Sequence, residues 1–343
     1  MNFASDRIQN PAHIDADALA VKLTEHGRVT IQFSTTDALK RSVLSDVNRA
    51  CARFDDRLQV RFYGFYGEAF DGEIIHHLPE VKNLTIDCLT KTRNIGAIRS
   101  LNNLRALTLG VFDLAEPQIL EADNLRSLRA FGLWETQQKI DLAPLSNWRE
   151  LRHVDIRAHG KNLEKLAGLP NLETLTLGLG AKAPLGFVNH LPALTTLKLI
   201  LGGRENLNEV VGKTIETFEV IRVRGLCDLS TIASWSHLKN LNIEDQMRLE
   251  ELNFSSDMTE LTNISILNCK TLSGLKGLRA LPKLKSLRIY GTNLNFEALV
   301  SAGLPNTLNE FAFYTLRRKE DRLIHSRIKA MGYRADPDHF FGL

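Results

Sequence analysis

The residues Val211-Gly212-Lys213-Thr214 spell the end of a phosphate-binding loop, and a complete loop would cradle a nucleotide on backbone N–H groups. The first glycine of such a loop would fall at 207, where Leu207 stands, so the segment reads as an inter-repeat turn. His76-His77 could ligate a metal, but neighbouring strand residues face opposite ways and no acidic or cysteine partner sits at ligand spacing. Cys51, Cys88, Cys227 and Cys269 are dispersed, with no CxxC and no close pair; they read as small buried apolar residues with reduced thiols. Asn83-Leu-Thr85 and Asn263-Ile-Ser265 match the glycosylation sequon but fall inside predicted strands. No nucleophile elbow, HExxH or GxGxxG is present, so the sequence predicts no catalytic, cofactor or metal site.

The side chains suited to chemistry of another kind, protein recognition, recur at a fixed interval. They are Arg61, Tyr63, Asp87, Trp134, Asp155, Arg157, Lys198, Glu219, Arg288, Tyr290 and Tyr314. Aromatic residues and arginine are the types that anchor protein interfaces. Each lies between the last two apolar residues of, or immediately after, a recurring phrase: apolar, two residues, apolar, one residue, apolar. The phrase appears as Val81-Leu84-Ile86, Leu104-Leu107-Leu109, Leu128-Phe131-Leu133, Leu151-Val154-Ile156, Leu172-Leu175-Leu177 and Leu194-Leu197-Leu199. It continues as Ile215-Phe218-Val220, Leu238-Leu241-Ile243, Leu261-Ile264-Ile266, Leu284-Leu287-Ile289 and Leu308-Phe311-Phe313, after a degenerate copy ending in Val60 and Phe62. Successive copies lie 21 to 24 residues apart.

A fixed period of this size predicts a solenoid, each unit burying its apolar edge against the next. The last two apolar residues of the phrase alternate as in a short strand, one face in and one face out. About twelve parallel strands are expected on a concave side. The intervening halves run at a spacing of three, as in Leu163-Leu166-Leu169-Leu172 and Leu272-Leu275-Leu278-Leu281, which suits short 3₁₀ turns on the convex side. That pattern fades near 200–226, where any break in the stack is expected. The outward residues then form two columns on the concave face, and these hold every candidate binding residue. Gly110 and Gly132 beside Trp134 leave room for its indole, with Asp155 and Arg157 on the next rung.

Segments such as 162–177 and 272–289 resemble the leucine-rich repeat family in its 21-to-24-residue forms, similar to bacterial internalin-type and phosphatase-regulatory-subunit-type repeats. The resemblance implies an α/β leucine-rich repeat solenoid shaped as a curved horseshoe. It also implies Asn or Cys three residues after the third strand apolar, bonding neighbouring loops. In this sequence that column reads Leu89, Phe112, Thr136, His159, Gly180, Gly202, Val223, Gln246, Cys269 and Thr292, and only Cys269 fits. Apolar plugs are expected in its place.

Three regions are expected: an N-terminal cap over 1–56, repeats over 57–316 and a helical cap over 317–343. Val29–Phe33 reads as a strand and 36–54 as an amphipathic helix capped by Ser34 or Thr36. Leu323, Ile324, Ile328 and Met331 read as the apolar face of a last helix stopped at Gly332. The formal charge of +3, from 43 basic and 40 acidic residues, gives no reason to expect nucleic acid. No apolar run reaches the ~18 residues of a membrane span, and the N-terminus is a poor secretory signal. The sequence therefore reads as a cytoplasmic, monomeric, non-catalytic module that binds an unidentified protein and is of bacterial type. Alternatives are an immunity protein that neutralises a toxin and a host-directed effector without its own catalytic domain; the residues after Phe313 are too few for one.

Overall fold

The computed structural model describes residues 6–334, which fall into two compact units divided between Leu172 and Glu173. The first unit opens with β1 (Asp6–Gln9), α1 (Ala16–His26), β2 (Val29–Phe33), α2 (Arg41–Phe54) and β3 (Leu58–Gly64). These are two βαβ steps that make the three strands parallel. The two-residue β4 (Phe70–Asp71), β5 (Asn83–Arg93), β6 (Ala106–Asp113), β7 (Ala130–Leu133) and β8 (His153–Arg157) follow. The phrase sets the register: Ile31 lies opposite Val60, Val60 opposite Leu84, then Leu107, Phe131 and Val154 in turn. All of these side chains are buried.

The second unit repeats the plan with β9 (Thr174–Gly178), β10 (Thr196–Ile200), β11 (Thr217–Ile221), β12 (Asn240–Glu244), β14 (Asn263–Leu267), β16 (Ser286–Tyr290) and β17 (Glu310–Tyr314). Two short strands, β13 (Glu251–Asn253) and β15 (Gly274–Lys276), pair separately in the outer half of their repeats. Leu175, Leu197, Phe218, Leu241, Ile264, Leu287 and Phe311 stand opposite one another in sequence, all buried. Most spacing-three halves form 3₁₀ turns, among them Ile95–Ser100, Leu163–Gly168 and Ser230–Ser234, but the Leu272–Leu281 half runs through β15 and keeps only a three-residue turn, Leu278–Ala280. The unit ends in α3 (Phe296–Ser301) and α4 (Arg318–Ala330).

Aromatic substitutions in the phrase are matched locally. Phe131 meets Trp148 edge-on at 5.1 Å between ring centroids, and Phe218 meets Trp235 at 5.2 Å in the same way. Both indoles are fully buried. The glycine of the Val211-Gly212-Lys213-Thr214 turn is explained by this packing. A Cβ at Gly212 would lie 2.3 Å from a Trp235 ring carbon, and its φ of +67° disfavours any other residue. The glycine clears space for an indole.

Several sequence expectations change. Between 200 and 226 the strands keep register, Leu197 opposite Phe218, so no break in pairing falls there. The missing 3₁₀ turn there is replaced by a loop in which the Arg204 Nη2 donates to Ala183 O and Glu209 Oε1, both at 3.1 Å. Helix α2 begins at Arg41, because Thr36–Ala38 makes a separate 3₁₀ turn whose Thr36 amide donates to Glu68 Oε1 at 3.1 Å. Neither Ser34 nor Thr36 caps it. In α4, Ile324 and Ile328 are buried while Leu323 is exposed, so the apolar face is narrower than the sequence suggested. Cys51 and Cys269 are buried free thiols, pushed up to about 12 and about 11 by burial; Cys88 and Cys227 are free but exposed, against expectation. No helix among the described residues is long and apolar enough to cross a membrane.

Replacing Gly212 with alanine should lower unfolding free energy by about 2–4 kcal/mol, from steric overlap plus a strained φ. Urea unfolding followed by tryptophan fluorescence measures it, and Gly160→Ala, where a Cβ meets nothing within 4 Å, should be nearly silent.

Candidate functional site

In each unit the residues between the buried strand positions point outward as ordered columns, because parallel pairing sets like positions side by side about 4.8 Å apart. In the first unit Gln32, Arg61, Thr85, Thr108, Gly132 and Asp155 form one column. Tyr63 and Asp87 pair in the next, which Gly110, Trp134 and Arg157 continue beyond Leu109, Leu133 and Ile156.

Arg61 grips Asp87 with two hydrogen bonds, Nε to Oδ1 at 2.7 Å and Nη2 to Oδ2 at 2.8 Å. The guanidinium lies 4.4 Å from the centre of the Tyr63 ring, and the Tyr63 hydroxyl donates to Gln9 Oε1 at 2.7 Å. Asp87 is only 2% exposed and must keep this partner, since an unpaired buried carboxylate is costly. Its carboxylate holds the Arg61 guanidinium above the ordinary arginine range.

A second cluster is built on Asp155, itself 8% exposed. Its Oδ2 accepts from the Trp134 indole N–H at 3.2 Å and from Arg157 Nη2 at 2.9 Å; its Oδ1 accepts from Arg157 Nε at 3.1 Å. The Arg157 guanidinium stacks 4.6 Å from the indole centre. The two clusters meet at Gly110, where a Cβ would be 3.0 Å from Trp134 Cε3 and 3.1 Å from Asp87 Cβ. Gly110 thus gives the indole its room, as the sequence suggested. Gly132 does not: a Cβ there would strike Thr108.

Behind Trp134 sits His159, fully buried at the loop position where the repeat usually carries asparagine. Its Nδ1 accepts from the Ile140 amide at 3.1 Å, which leaves Nε2 to donate to Trp134 O at 2.8 Å. Gln246 and Cys269 do similar work in the second unit, Gln246 Nε2 donating to Glu244 O at 2.7 Å and Cys269 Sγ to Leu267 O at 3.4 Å. The loop column is therefore less depleted of polar bonding than its residue types suggested. Leu89 and Val223 are the apolar plugs expected.

The second unit presents a different face. Lys198 Nζ donates to Glu219 Oε1 at 2.8 Å, and Arg288 approaches Glu310 at 3.8 Å. Tyr290 and Tyr314 lie 5.7 Å apart between ring centres. Beside them the outward column reads Ile200, Ile221, Glu244 and Leu267, an apolar run with one charge. Immediately past the strands, Leu201, Arg222, Asp245, Asn268 and Gly291 all adopt left-handed φ between +52° and +65°. There Arg222 Nη2 donates to Asp245 Oδ2 at 2.6 Å and Asn268 donates to Asp245 Oδ1.

The structure thus brings together Arg61, Tyr63 and Asp87, and separately Trp134, Asp155 and Arg157, but buries both aspartates as supports. Gln9 and Gln32, which extend the face, were missed; the alternation of Val29, Ile31 and Phe33 would have placed Thr30 and Gln32 outward. Among the other chemical candidates, His76 and His77 are exposed at the end of a 3₁₀ turn, and His76 approaches Glu73 at 3.7 Å. No group of three metal-ligating side chains comes together among the described residues.

One parallel strand per 21-to-24-residue repeat, 3₁₀ turns opposite, and loop side chains bonding strand carbonyls decide the architecture. The chain has the leucine-rich-repeat fold. Among solved structures it is similar to an internalin of Listeria monocytogenes, at 17% identity over 75% of this chain and 82% of that one, with a TM-score of 0.45. It is similar to a leucine-rich-repeat protein of Leptospira interrogans at 12% identity over 90% and 89%, with a TM-score of 0.46. An internalin C2 of Listeria monocytogenes matches at 20% identity over 51% and 76%, with a TM-score of 0.34. No family profile and no curated protein sequence matches the chain.

Two outcomes are expected of this leucine-rich-repeat face. Arg61→Ala should cost about 3 kcal/mol by stranding Asp87, and Arg61→Ala combined with Asp87→Ala should recover part of that loss in a double-mutant cycle. Burial lowers the His159 pKa below its ordinary 6.5, so the folded state binds its proton less readily than the unfolded chain. His159 thus contributes stability above pH 6.5 that is lost as pH falls from 6.5 towards its folded pKa. Chemical unfolding at pH 7.5, 6.5 and 5.5 should show this fall, and His159→Asn should flatten it.

Proposed function

We infer that the protein is a non-catalytic recognition module that binds a protein partner on the open strand face of its first unit. The observation that carries this reading is the aromatic-guanidinium surface of Tyr63, Arg61, Trp134 and Arg157, held rigid from beneath by Asp87 and Asp155. Tryptophan, tyrosine and arginine dominate the binding energy of protein interfaces, and side chains already ordered lose less entropy on association. The two aspartates position these groups; the rings and guanidinium edges make the contact. Lys198, Glu219, Arg288, Tyr290 and Tyr314 belong to the second unit's face and would add contacts of their own.

Because Arg157 and Trp134 also satisfy Asp155, truncation to alanine would confound binding with stability. Trp134→Phe keeps a ring under the guanidinium, and Arg157→Lys keeps a cation beside Asp155. Proteins retained on the immobilised wild-type chain are to be identified and their affinity measured by calorimetry. The double variant should bind the retained partner about 30-fold more weakly, equivalent to about 2 kcal/mol, while its stability falls by only about 1 kcal/mol from the lost indole N–H. Equal retention by wild type and double variant would end this reading.

A further inference from the structure

The position just ahead of each strand, outside the two columns of the open face, carries a pattern of its own. In the first unit it holds Lys82, Arg105, Arg129 and Arg152, four basic residues on four successive rungs. Their backbones are stacked directly: the Arg105 amide donates to Lys82 O at 2.7 Å, Arg129 to Arg105 O at 2.8 Å, and Arg152 to Arg129 O at 2.8 Å. Neighbouring rungs therefore stand about 4.8 Å apart. The same position in the second unit reads Glu173, Thr195, Glu216, Lys239, Thr262, Lys285 and Asn309, and there Glu216 pairs with Lys239 at 2.8 Å. The repeat geometry does not call for a cation at this place, since neutral and acidic residues serve equally.

Like charges on adjacent rungs repel and cost stability. Lys82 relieves its charge on Asp55. Arg105 and Arg129, in the middle of the row, are exposed and make no direct ion pair among the described residues; Arg105 acts on Asp55 only at longer range, behind Lys82. Two unpaired guanidinium forks one rung apart match two carboxylates at similar spacing, and arginine binds carboxylate in a planar, two-bond geometry that lysine cannot. Residues at i and i+4 of a helix lie about 5–6 Å apart, close to the rung spacing.

We propose that the Lys82–Arg105–Arg129–Arg152 row is a docking strip for an acidic helix of a partner protein, laid across the strand starts of the first unit. The surroundings favour a polypeptide over a polynucleotide. Glu80, Asp123 and Glu150 lie two to six residues ahead of the row's members in sequence, in the same strand approaches, and would oppose an unbroken line of phosphates. A helix can present neutral or basic residues to them. The strip is separate from the Trp134 face, so the two proposals stand or fall independently.

The test uses the full chain and three fluorescein-labelled probes: an alanine-based helical peptide with glutamate at every fourth position, its glutamine counterpart, and an oligothymidylate of twelve nucleotides. At about 50 mM salt the acidic peptide should bind and its glutamine counterpart should not. R105Q combined with R129Q should weaken acidic-peptide binding about tenfold and reduce its salt dependence. Trp134→Phe should leave that binding unchanged. The unfolding midpoint of the double variant should stay level or rise, as a repulsion is removed. Peptide binding that survives R105Q/R129Q, an oligonucleotide that binds more tightly than the peptide, or a lowered midpoint in the double variant would each overturn the proposal.

Discussion

Everything in each unit depends on in-register parallel pairing of strands that bury every second side chain. Val60, Leu84, Leu107, Phe131 and Val154 lie opposite one another in the first unit, and Leu175 through Phe311 do so in the second. A slip of one residue would turn the buried set outward, so the apolar phrase locks the register at every rung. Once register is locked, the outward residues have no freedom over their neighbours. Arg61 must face Gln32 and Thr85, and Arg105 must sit between Lys82 and Arg129. Surface chemistry on this fold is written by column, with the core as the ruler.

That dependence explains what the sequence revealed. The phrase L-x-x-L-x-L announces both its strand and its outward residues, so the repeat, the register and the membership of each column were all readable from Val81 onward. The glycine at 110 also spoke plainly, because a missing side chain beside a tryptophan in the same column is a statement about space. Residues 6–26 were not readable in this way: α1 buries only Leu19 and Leu23, too weak a stripe to mark a helix. Their strand β1 is four residues of mixed character.

The candidate site was half legible for a related reason. Column membership gives proximity but not depth. Asp87 and Asp155 stand in the same columns as the exposed candidates, yet both are buried and bonded to their own neighbours, Arg61 and Arg157. Nothing in residue type distinguishes a carboxylate that will be covered by an arginine from one that will stay in water. His159 was hidden differently. Its place in the loop column was known, but histidine was not counted as a substitute for asparagine. With Nδ1 accepting and Nε2 donating, a neutral imidazole offers the pair of bonds the loop requires.

The hydrogen bonds between rungs run along the direction in which the repeats stack, which gives each unit a mechanical grain. Tension along that direction loads successive rungs in series, so the stack is only as strong as its weakest joint. In the first unit β7 contributes four residues, Ala130 to Leu133, where β5 and β6 are twice as long or more. Its Gly132 offers no side chain to interlock with Asp155 on the next strand. Under load the first unit would part between β7 and β8, pulling the Trp134 indole away from Asp155 and uncoupling the very surface the columns assemble.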